Sequence, residues 1–385
     1  MIKLISNMLD KDFDPRSLSK QESKFSSFFD SPVVIFPASE ARMESIFRYL
    51  EKNNKPYPLT FCDNDKNKQR TKLRGIDIVS PEKMIKILDQ DTKVLIFSAD
   101  HFTLILKQLR ELGIPDSRIS TFEESHFFIE HSITSTNDDW YKVWCENKDK
   151  ILKACEFFDD DSLKVLEDYI KYKISCTDAE NLSVSNCCDQ FNPQYFDKDI
   201  IKLGVNESFV DAGVCDGHTS VQFAGLTNNS YKNILLFEPD PENYEKSKTN
   251  LEKQGLKNAF LFKEGLGKIS GTVSFTKRGD HSSKVAANGN STINVVTLDD
   301  KLSQLNFKDN ITFIKMDIEG AETDALQGAK KTINKFTPKL AISVYHNPED
   351  IFEIPILLKE YVPEYKLHLR KYSSLGFELI CYAVI

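Results

Sequence analysis

A glycine-containing turn in the second half of the chain carries the clearest chemical signal in the sequence. It follows the apolar run Ser208–Val210, and Asp211, Gly213, Asp216 and Gly217 give it the spacing Asp-x-Gly-x-x-Asp-Gly. Glycines at these positions let the backbone approach a ligand that lies over the end of a strand. Acidic residues in the same turn would repel a pyrophosphate. The turn therefore predicts a nucleoside cofactor without phosphates and with a positively charged tail, a description that S-adenosylmethionine fits.

A second acidic group follows the next apolar run. Asn233–Phe237 reads Asn-Ile-Leu-Leu-Phe and leads directly to Glu238 and Pro239. A carboxylate at the end of the second strand of a nucleotide-binding sheet can accept hydrogen bonds from the ribose hydroxyls. We therefore predict that Glu238 and Pro239 line the cofactor site and that Gly265 borders the adenine. A solvated loop acid is the competing interpretation of Glu238, and the preceding glycine turn argues against it.

Two later strand ends supply candidate catalytic groups. The run Ile311–Met316 leads to Asp317 and Glu319, and the run Leu340–Tyr345 leads to His346. O-methylation requires a base beside the hydroxyl, and each of these three side chains is a candidate. Of the three, His346 would titrate nearest neutral pH. A purely structural role for this histidine is an equal alternative to a role as base. Carboxylates also bind Mg²⁺, but no further ligand cluster accompanies these two, so the sequence favours a site without metal.

These groups share one edge of a sheet if the apolar runs are parallel strands. From Ser208 onward, strand-like runs alternate with helical segments, which is typical of a parallel sheet covered by helices on both faces. Ligands bind outside the carboxyl ends of the strands in such sheets. We therefore predict a Rossmann-like class I methyltransferase sheet for residues 205–385.

The first third of the chain predicts a smaller domain of the same α/β class. Short apolar runs alternate with helical spacing, which indicates a small Rossmann-like domain over residues 1–124 and a helical connector over residues 125–204 that packs on the next domain. The turn after Phe36 contains Pro37 and Glu40 instead of glycines. Because proline removes an amide donor and glutamate repels phosphate, we expect a scaffold or substrate-docking role rather than nucleotide binding.

Composition narrows the class of protein. A chain of 385 residues favours two domains, and its net charge of -8 argues against a general nucleic-acid binder. The eight cysteines show no zinc-ligand spacing. We read no signal peptide and no apolar run long enough to cross a bilayer, so we expect a cytoplasmic protein with reduced thiols. The chain could also form an oligomer through its N-terminal domain, and the sequence leaves this question open.

The segments that carry these groups resemble the FkbM family of methyltransferases. The resemblance covers nearly all of residues 205–385 and rests on Phe209–Gly217, Phe237–Asp240, Val296–Asp299, Ile314–Glu322 and Tyr345-His346. The family is known to methylate hydroxyls of polyketides and of sugars in bacterial surface glycans. The resemblance implies contacts with S-adenosylmethionine at Asp211, Gly213, Asp216, Gly217 and Glu238. It also implies that Asp317 and Glu319 lie beside the reacting hydroxyl. The N-terminal domain more weakly resembles a small Rossmann-like module of some sugar-modifying enzymes.

The expected function is O-methylation of a hydroxyl on a sugar, a nucleotide-linked sugar or a related small molecule of a biosynthetic pathway, with S-adenosylmethionine as cofactor. Methylation of a non-sugar acceptor stays open. A binding or assembly protein that merely retains the fold is a second alternative, against which the intact turn and Glu238 argue. A redox enzyme using the N-terminal domain is a third, and the lack of glycines after Phe36 argues against it.

Overall fold

Two largely parallel sheets form the framework of the chain in this computed structural model. The structure describes residues 1–10, 13, 29–38, 43, 46–47, 50–51, 54–97, 102–120, 136–175, 193–276, 284–285, 291–372 and 378–385. Helices accompany both sheets, so the predicted mixed α/β class is confirmed. None of the helices in these residues is long and apolar enough to cross a membrane.

The smaller sheet lies in the first third of the chain. Its strands are β1 (Val33–Phe36), β2 (Thr60–Cys62), β3 (Lys72–Leu73), β4 (Ile76–Val79), β5 (Lys93–Ile96) and β6 (Ile119–Ser120). They take the order β3-β4-β2-β1-β5-β6, and among them only β3 runs antiparallel to its neighbour. The spacing of apolar residues over Ala41–Asn53 predicts a helix, and this segment lies largely outside the described residues.

The turn that follows β1 is held by contacts within the chain. The amide of Ala38 donates to the Asp63 carboxylate at 3.1 Å, and the Lys68 amino group donates to that carboxylate and to the Ala38 carbonyl, each at 3.0 Å. The Ala38 amide, which could otherwise donate to a phosphate, is therefore already hydrogen-bonded. The absence of nucleotide binding by this domain stays a prediction.

The larger sheet contains seven strands within the described residues. They are β7 (Ser208–Ala212), β8 (Asn233–Phe237), β9 (Ala259–Phe262), β14 (Phe313–Met316), β15 (Lys339–Ser343), β16 (Lys366–Lys371) and β17 (Leu379–Val384), numbered with β10 to β13 of the small sheet described below. Their order is β16-β17-β15-β14-β7-β8-β9, with β17 antiparallel to both neighbours. The carboxyl ends of β7, β8, β14 and β15 therefore meet at one edge.

Helices follow most strands of this sheet. They are α7 (His218–Leu226), α8 (Pro241–Gln254), α9 (Leu298–Gln304), α10 (Glu322–Gly328), α11 (Lys330–Phe336) and α12 (Asp350–Tyr361), numbered after the helices α1 to α6 that precede them in the chain. Local sequence explains where they begin. Asp240 caps α8 by accepting the amides of Glu242 and Asn243, and Pro241 occupies the first turn, where no amide hydrogen bond is lost.

A third sheet, called the small sheet below, is formed by the chain between β9 and β14. Its strands are β10 (Gly265–Leu266), β11 (Gly271–Thr276), β12 (Lys284–Val285) and β13 (Ser291–Val296), in the order β10-β13-β11-β12. The sequence indicated only β11 as a strand. Gly265 lies in β10, which pairs in parallel with β13.

The helices that precede the larger sheet pack on it. They comprise α1 (Ile2–Met8), α4 (Thr136–Glu146), α5 (Lys148–Cys155) and α6 (Asp160–Ser175), while α2 (Pro81–Ile87) and α3 (Phe102–Glu111) belong to the smaller domain. The indole N–H of buried Trp144 donates to the Pro348 carbonyl at 2.7 Å. The backbone amide of Leu369 donates to the Ser162 hydroxyl at 2.9 Å.

The start of the chain joins this same core. Buried Ile5, Met8 and Leu9 belong to the cluster that contains Trp144 and the apolar residues of the larger sheet. By packing, α1 therefore belongs with the C-terminal core, although the sequence assigned residues 1–124 to the smaller domain. The boundaries at residues 124 and 204 stay predictions.

Candidate functional site

The glycine turn after β7 lies directly against the end of β14. Gly213 has φ +81°, and a Cβ atom added to it would stand 1.7 Å from the Asp317 carbonyl oxygen. No side chain fits there, so glycine is required for both the backbone angle and the close approach. Gly217 has φ +88° and begins α7. The turn thus brings the ends of the two central strands together, and the predicted approach of Gly213 to a cofactor stays a prediction.

Glu238 links this turn to the end of β8. The side chain is buried, and its two carboxylate oxygens accept the amides of Cys215 at 2.8 Å and Asp240 at 3.0 Å. Each oxygen keeps lone-pair capacity for one more donor. Burial raises the pKa of Glu238 to about 7. Such a carboxylate can receive two vicinal hydroxyls of a ribose.

Pro239 and Gly265 lie next to each other, and their predicted contact with the cofactor stays a prediction. A Cβ atom added to Gly265 would meet the Pro239 ring at 3.5 Å. Gly265 itself is buried, in β10. Strand β10 of the small sheet therefore lies beside the end of β8, which carries Glu238. An adenine would extend into this region if Glu238 binds the ribose.

The expected cofactor contact by Asp211 stays a prediction, and the structure shows which groups hold this side chain. This carboxylate is completely buried; it accepts the Ser220 hydroxyl at 2.7 Å and lies 3.2 Å from the Lys315 amino group. Asp211 thus links the start of α7, through Ser220, to Lys315 of β14.

Asp216 occupies a different place again. Its exposed side chain accepts the His218 amide at 2.9 Å and borders a surface groove of about 730 Å³ beside α8. This carboxylate caps the start of α7. The structure thus brings Glu238, Pro239, Gly213 and Gly265 together and places Asp216 on the outer side of the turn.

Lys315 is a functional residue that the sequence analysis missed. It is buried in β14 and donates to the carbonyls of Ala212 at 3.1 Å and Gly213 at 2.6 Å. Burial lowers its pKa, but the carboxylates of Asp211 and Asp317 outweigh that effect and raise it. The charged lysine fixes the glycine turn. The available signal was a lysine within an otherwise apolar strand, since a buried ammonium requires partners.

Asp317 is held by two tyrosines from different parts of the chain. The Tyr195 hydroxyl donates to its Oδ2 at 2.5 Å, and the Tyr345 hydroxyl reaches its Oδ1 at 3.3 Å. Burial raises the pKa of Asp317, but Lys315 leads the groups that lower it below its usual value. Asp317 is therefore ionised, and donors already surround it. Tyr195 precedes the larger sheet in a polar segment whose sequence gave no sign of this contact.

His346 lies among three carboxylates, and its role as a general base stays a prediction. Its Nδ1 lies 3.0 Å from Glu322, and its Nε2 lies 3.4 Å from Asp317 and 3.6 Å from Glu319. Burial lowers the pKa of His346, but these carboxylates, Glu322 first, outweigh it and raise the pKa to about 10. These carboxylates favour the protonated imidazole, and a cation bound at Nε2 would take the place of that proton.

Glu319 is the more accessible of the two carboxylates after β14. Its side chain is 35% exposed, against 19% for Asp317. Its backbone has φ +57°, a conformation that side chains rarely adopt and that often accompanies a functional constraint. The next residue, Gly320, has φ +97° and lies against Asn347, whose amide donates to the Gly320 carbonyl at 3.1 Å. The loop thus presents Glu319 at the mouth of the site.

Comparison with known proteins identifies the domain that carries this site. Residues 211–379 match the family model of the Methyltransferase FkbM domain. The matched region contains Glu238, Asp317, Glu319 and His346. The chain carries an FkbM methyltransferase domain. It is therefore a methyltransferase, as the sequence predicted, and no curated protein matches it.

Several solved structures resemble this chain, over different shares of its length. The methyltransferase FkbM from Methylobacillus flagellatus KT is 20% identical, with a TM-score of 0.64 over 100% of this chain and 98% of that one. Fibrillarin from Aeropyrum pernix, solved with S-adenosyl-L-methionine, is 12% identical over 49% of this chain and 71% of its own, with a TM-score of 0.32. An rRNA methylase from Streptococcus thermophilus is 15% identical over 47% and 87%, with a TM-score of 0.30. The first comparison shows that the fold of the whole chain, smaller domain included, recurs in that protein.

Within the FkbM domain, a buried acidic group supports the catalytic edge from behind. Glu322 is completely buried and accepts the Ile318 amide at 2.8 Å, and Asp350 accepts the Asn347 amide at 2.8 Å. Burial, with Glu322 nearby, raises the pKa of Asp350 to about 7. These groups fix the two loops that carry Glu319 and His346. The sequence showed Glu322 within the matching motif but gave no reason to assign it a role.

Proposed function

We propose that this FkbM methyltransferase uses S-adenosylmethionine to methylate a hydroxyl of a sugar or a related small molecule in the cytoplasm. The observation that carries the proposal is one sheet edge that combines a ribose-binding carboxylate, Glu238, with two carboxylates, Asp317 and Glu319, beyond the glycine turn. The sugar is supported by the acceptors known for the family that the sequence resembles. A nucleotide-linked sugar is one form in which such an acceptor would reach the site.

The cofactor side of the site fits a nucleoside without phosphates. S-adenosylmethionine supplies, when bound, a methyl group activated by a positively charged sulfonium. Glu238 would accept hydrogen bonds from the ribose hydroxyls, as strand-end acids do in dinucleotide folds. Pro239 and Gly265 would flank the base, and the backbone from Gly213 onward would pass beneath the cofactor because no side chain obstructs it.

The acceptor side requires proton removal as the new bond forms. Glu319 would take the proton of the acceptor hydroxyl on a carboxylate oxygen, while the hydroxyl oxygen forms its bond to the methyl carbon. The electron pair of the breaking carbon–sulfur bond stays on sulfur, which loses its positive charge. Asp317 is less suited to accept this proton because Tyr195 and Tyr345 already donate to it. Its role would be to hold the acceptor in line.

A methyl-transfer screen tests the proposal. The full chain is incubated with S-adenosylmethionine and a panel of free sugars, nucleotide-linked sugars and non-sugar alcohols, and mass spectrometry detects the gain of one methylene. We expect a methylated sugar in the panel and none with Glu319→Gln. Methylation confined to non-sugar alcohols would contradict the sugar assignment, and methylation at nitrogen or carbon would contradict O-methylation.

A further inference from the structure

Three side chains from two loops converge at the catalytic edge in a pattern that suits a metal ion. We propose that Asp317, Glu319 and His346 bind a divalent cation of the Zn²⁺ or Mn²⁺ type, which contacts the acceptor hydroxyl. The sequence favoured a metal-free site because it showed only a pair of acids. In the folded chain, the imidazole of His346 faces both acids, and the buried carboxylate of Glu322 lies on the other side of the ring.

The separation of the donor atoms matches the coordination sphere of such an ion. Nε2 of His346 lies 3.4 Å from Oδ1 of Asp317 and 3.6 Å from Oε2 of Glu319. Every pair of the three ligand atoms lies within 4.8 Å. Two ligands at bond lengths of about 2.1 Å are about 3.4 Å apart on a tetrahedral ion. The two measured histidine–carboxylate separations are therefore those of ligands that share one ion, and the fourth position would face the acceptor.

The imidazole itself points to a missing partner. The His346 side chain is 9% exposed, and its Nε2 has no hydrogen-bond partner among the described residues. Leaving a buried ring nitrogen without a hydrogen bond is costly, so such an atom usually serves a ligand. Nε2 faces Asp317 and Glu319, which is where the ion would lie.

The groups behind the ligands are those that a metal site needs. Nδ1 of His346 lies 3.0 Å from the buried Glu322 carboxylate, which is itself oriented by the Ile318 amide. A carboxylate behind a histidine fixes the ring orientation and increases its basicity toward a metal. On the other side, Tyr195 holds Oδ2 of Asp317 and leaves Oδ1 directed toward His346.

The donor set determines the class of ion. One imidazole nitrogen with two carboxylate oxygens suits Zn²⁺ or Mn²⁺ better than Mg²⁺, which prefers oxygen ligands alone. Bound there, the ion would lower the pKa of a coordinated hydroxyl and so favour its loss of a proton to the other carboxylate oxygen of Glu319. This role of the ion rests on the proposed O-methyl transfer.

Titration of the metal-free, tag-free full chain with Co²⁺ tests the site directly, because tetrahedral Co²⁺ gives visible absorption bands. We expect one Co²⁺ per chain, displaced by Zn²⁺. Glu319→Gln and Glu322→Gln should each weaken Co²⁺ binding by about ten- to hundredfold. The control is Glu353→Gln, an exposed carboxylate paired with Lys150, which should bind Co²⁺ as the unaltered chain does.

Two results would overturn the metal site: no visible bands on titration, or Co²⁺ binding by Glu319→Gln at unaltered affinity. Because Glu319 is partly exposed, that variant tests the site even if substitution at buried Glu322 disturbs folding, which circular dichroism would reveal. Calorimetry with S-adenosylhomocysteine on the metal-free chain separates this inference from the proposed function. If the chain binds S-adenosylhomocysteine but not Co²⁺, only the proposed metal site is wrong. If it does not bind S-adenosylhomocysteine, the proposed methyltransferase site is wrong.

Discussion

At the scale of single residues, the site depends on one close backbone approach, at Gly213. Gly213→Ala should destabilise the protein by about 3 kcal/mol or more, because its Cβ would meet the Asp317 carbonyl oxygen at 1.7 Å and its φ is positive. Gly255→Ala is the matched control. Gly255 also has a positive φ, +63°, but nothing lies within 4 Å of an added Cβ, so the cost should be about 1 kcal/mol. Denaturant unfolding measures both, and equal losses would contradict the steric account.

Glu238 should make cofactor binding depend on pH. Burial raises its pKa to about 7, so the carboxylate is ionised above that pH and neutral below it. Ribose hydroxyls donate to the ionised form, so affinity for S-adenosylhomocysteine should rise with pH through about 7. If binding lowers this pKa by about one unit, the gain is about tenfold. Calorimetry across this range should show the rise in the unaltered chain and a flat profile in Glu238→Gln, and a flat profile in both would contradict this assignment.

Residue type and position in the chain were enough to predict some of the site. Glu238, Gly213 and Gly265 could be placed because strand ends and glycine turns are local features. The roles of Asp211 and His346 depend on neighbours far away in sequence: Lys315 lies beside the first, and Glu322 beside the second. The burial of these two side chains and the charges beside them cannot be read from a single sequence.

At the scale of elements, the segment before β7 completes the catalytic edge through Tyr195. Tyr195→Phe removes the hydroxyl that orients Asp317 and leaves the cofactor side intact. We expect kcat to fall about tenfold, as for a lost positioning contact, with little change in affinity for S-adenosylhomocysteine. Tyr231→Phe is the control, since this hydroxyl donates to the Lys257 carbonyl at the opposite edge of the sheet. Equal kcat values for the two variants would show that Tyr195 does not position Asp317.

Most elements of the larger sheet were predictable because each strand is an apolar run that ends in a polar turn. Asn233–Phe237 was predicted with its observed bounds, and Ile311–Met316 begins two residues before β14 does. The small sheet was largely missed, because β10 and β12 span only two residues each and β13 was treated only as part of a motif. Strands this short depend on pairing partners rather than on their own sequence.

At the scale of the whole molecule, α1 joins the start of the chain to the C-terminal core. Ile5→Ala should lower the unfolding free energy of that core by about 2–4 kcal/mol, because it leaves a cavity among buried residues. Both tryptophans, Trp140 and Trp144, lie in α4, so tryptophan fluorescence reports this core. Ile35→Ala, in the core of the smaller domain, should leave that fluorescence transition in place. An unchanged transition in Ile5→Ala would contradict the packing of α1.

The central claim is that the edge formed by the glycine turn and Glu238 binds S-adenosylmethionine. Calorimetry with S-adenosylhomocysteine tests it most directly, on the full chain and on Glu238→Ala. We predict one site per chain with a dissociation constant on the order of micromolar, which is about 8 kcal/mol of binding free energy. Binding should be lost in Glu238→Ala while circular dichroism stays unchanged. No binding by the unaltered chain, or equal affinity in the variant, would contradict the account.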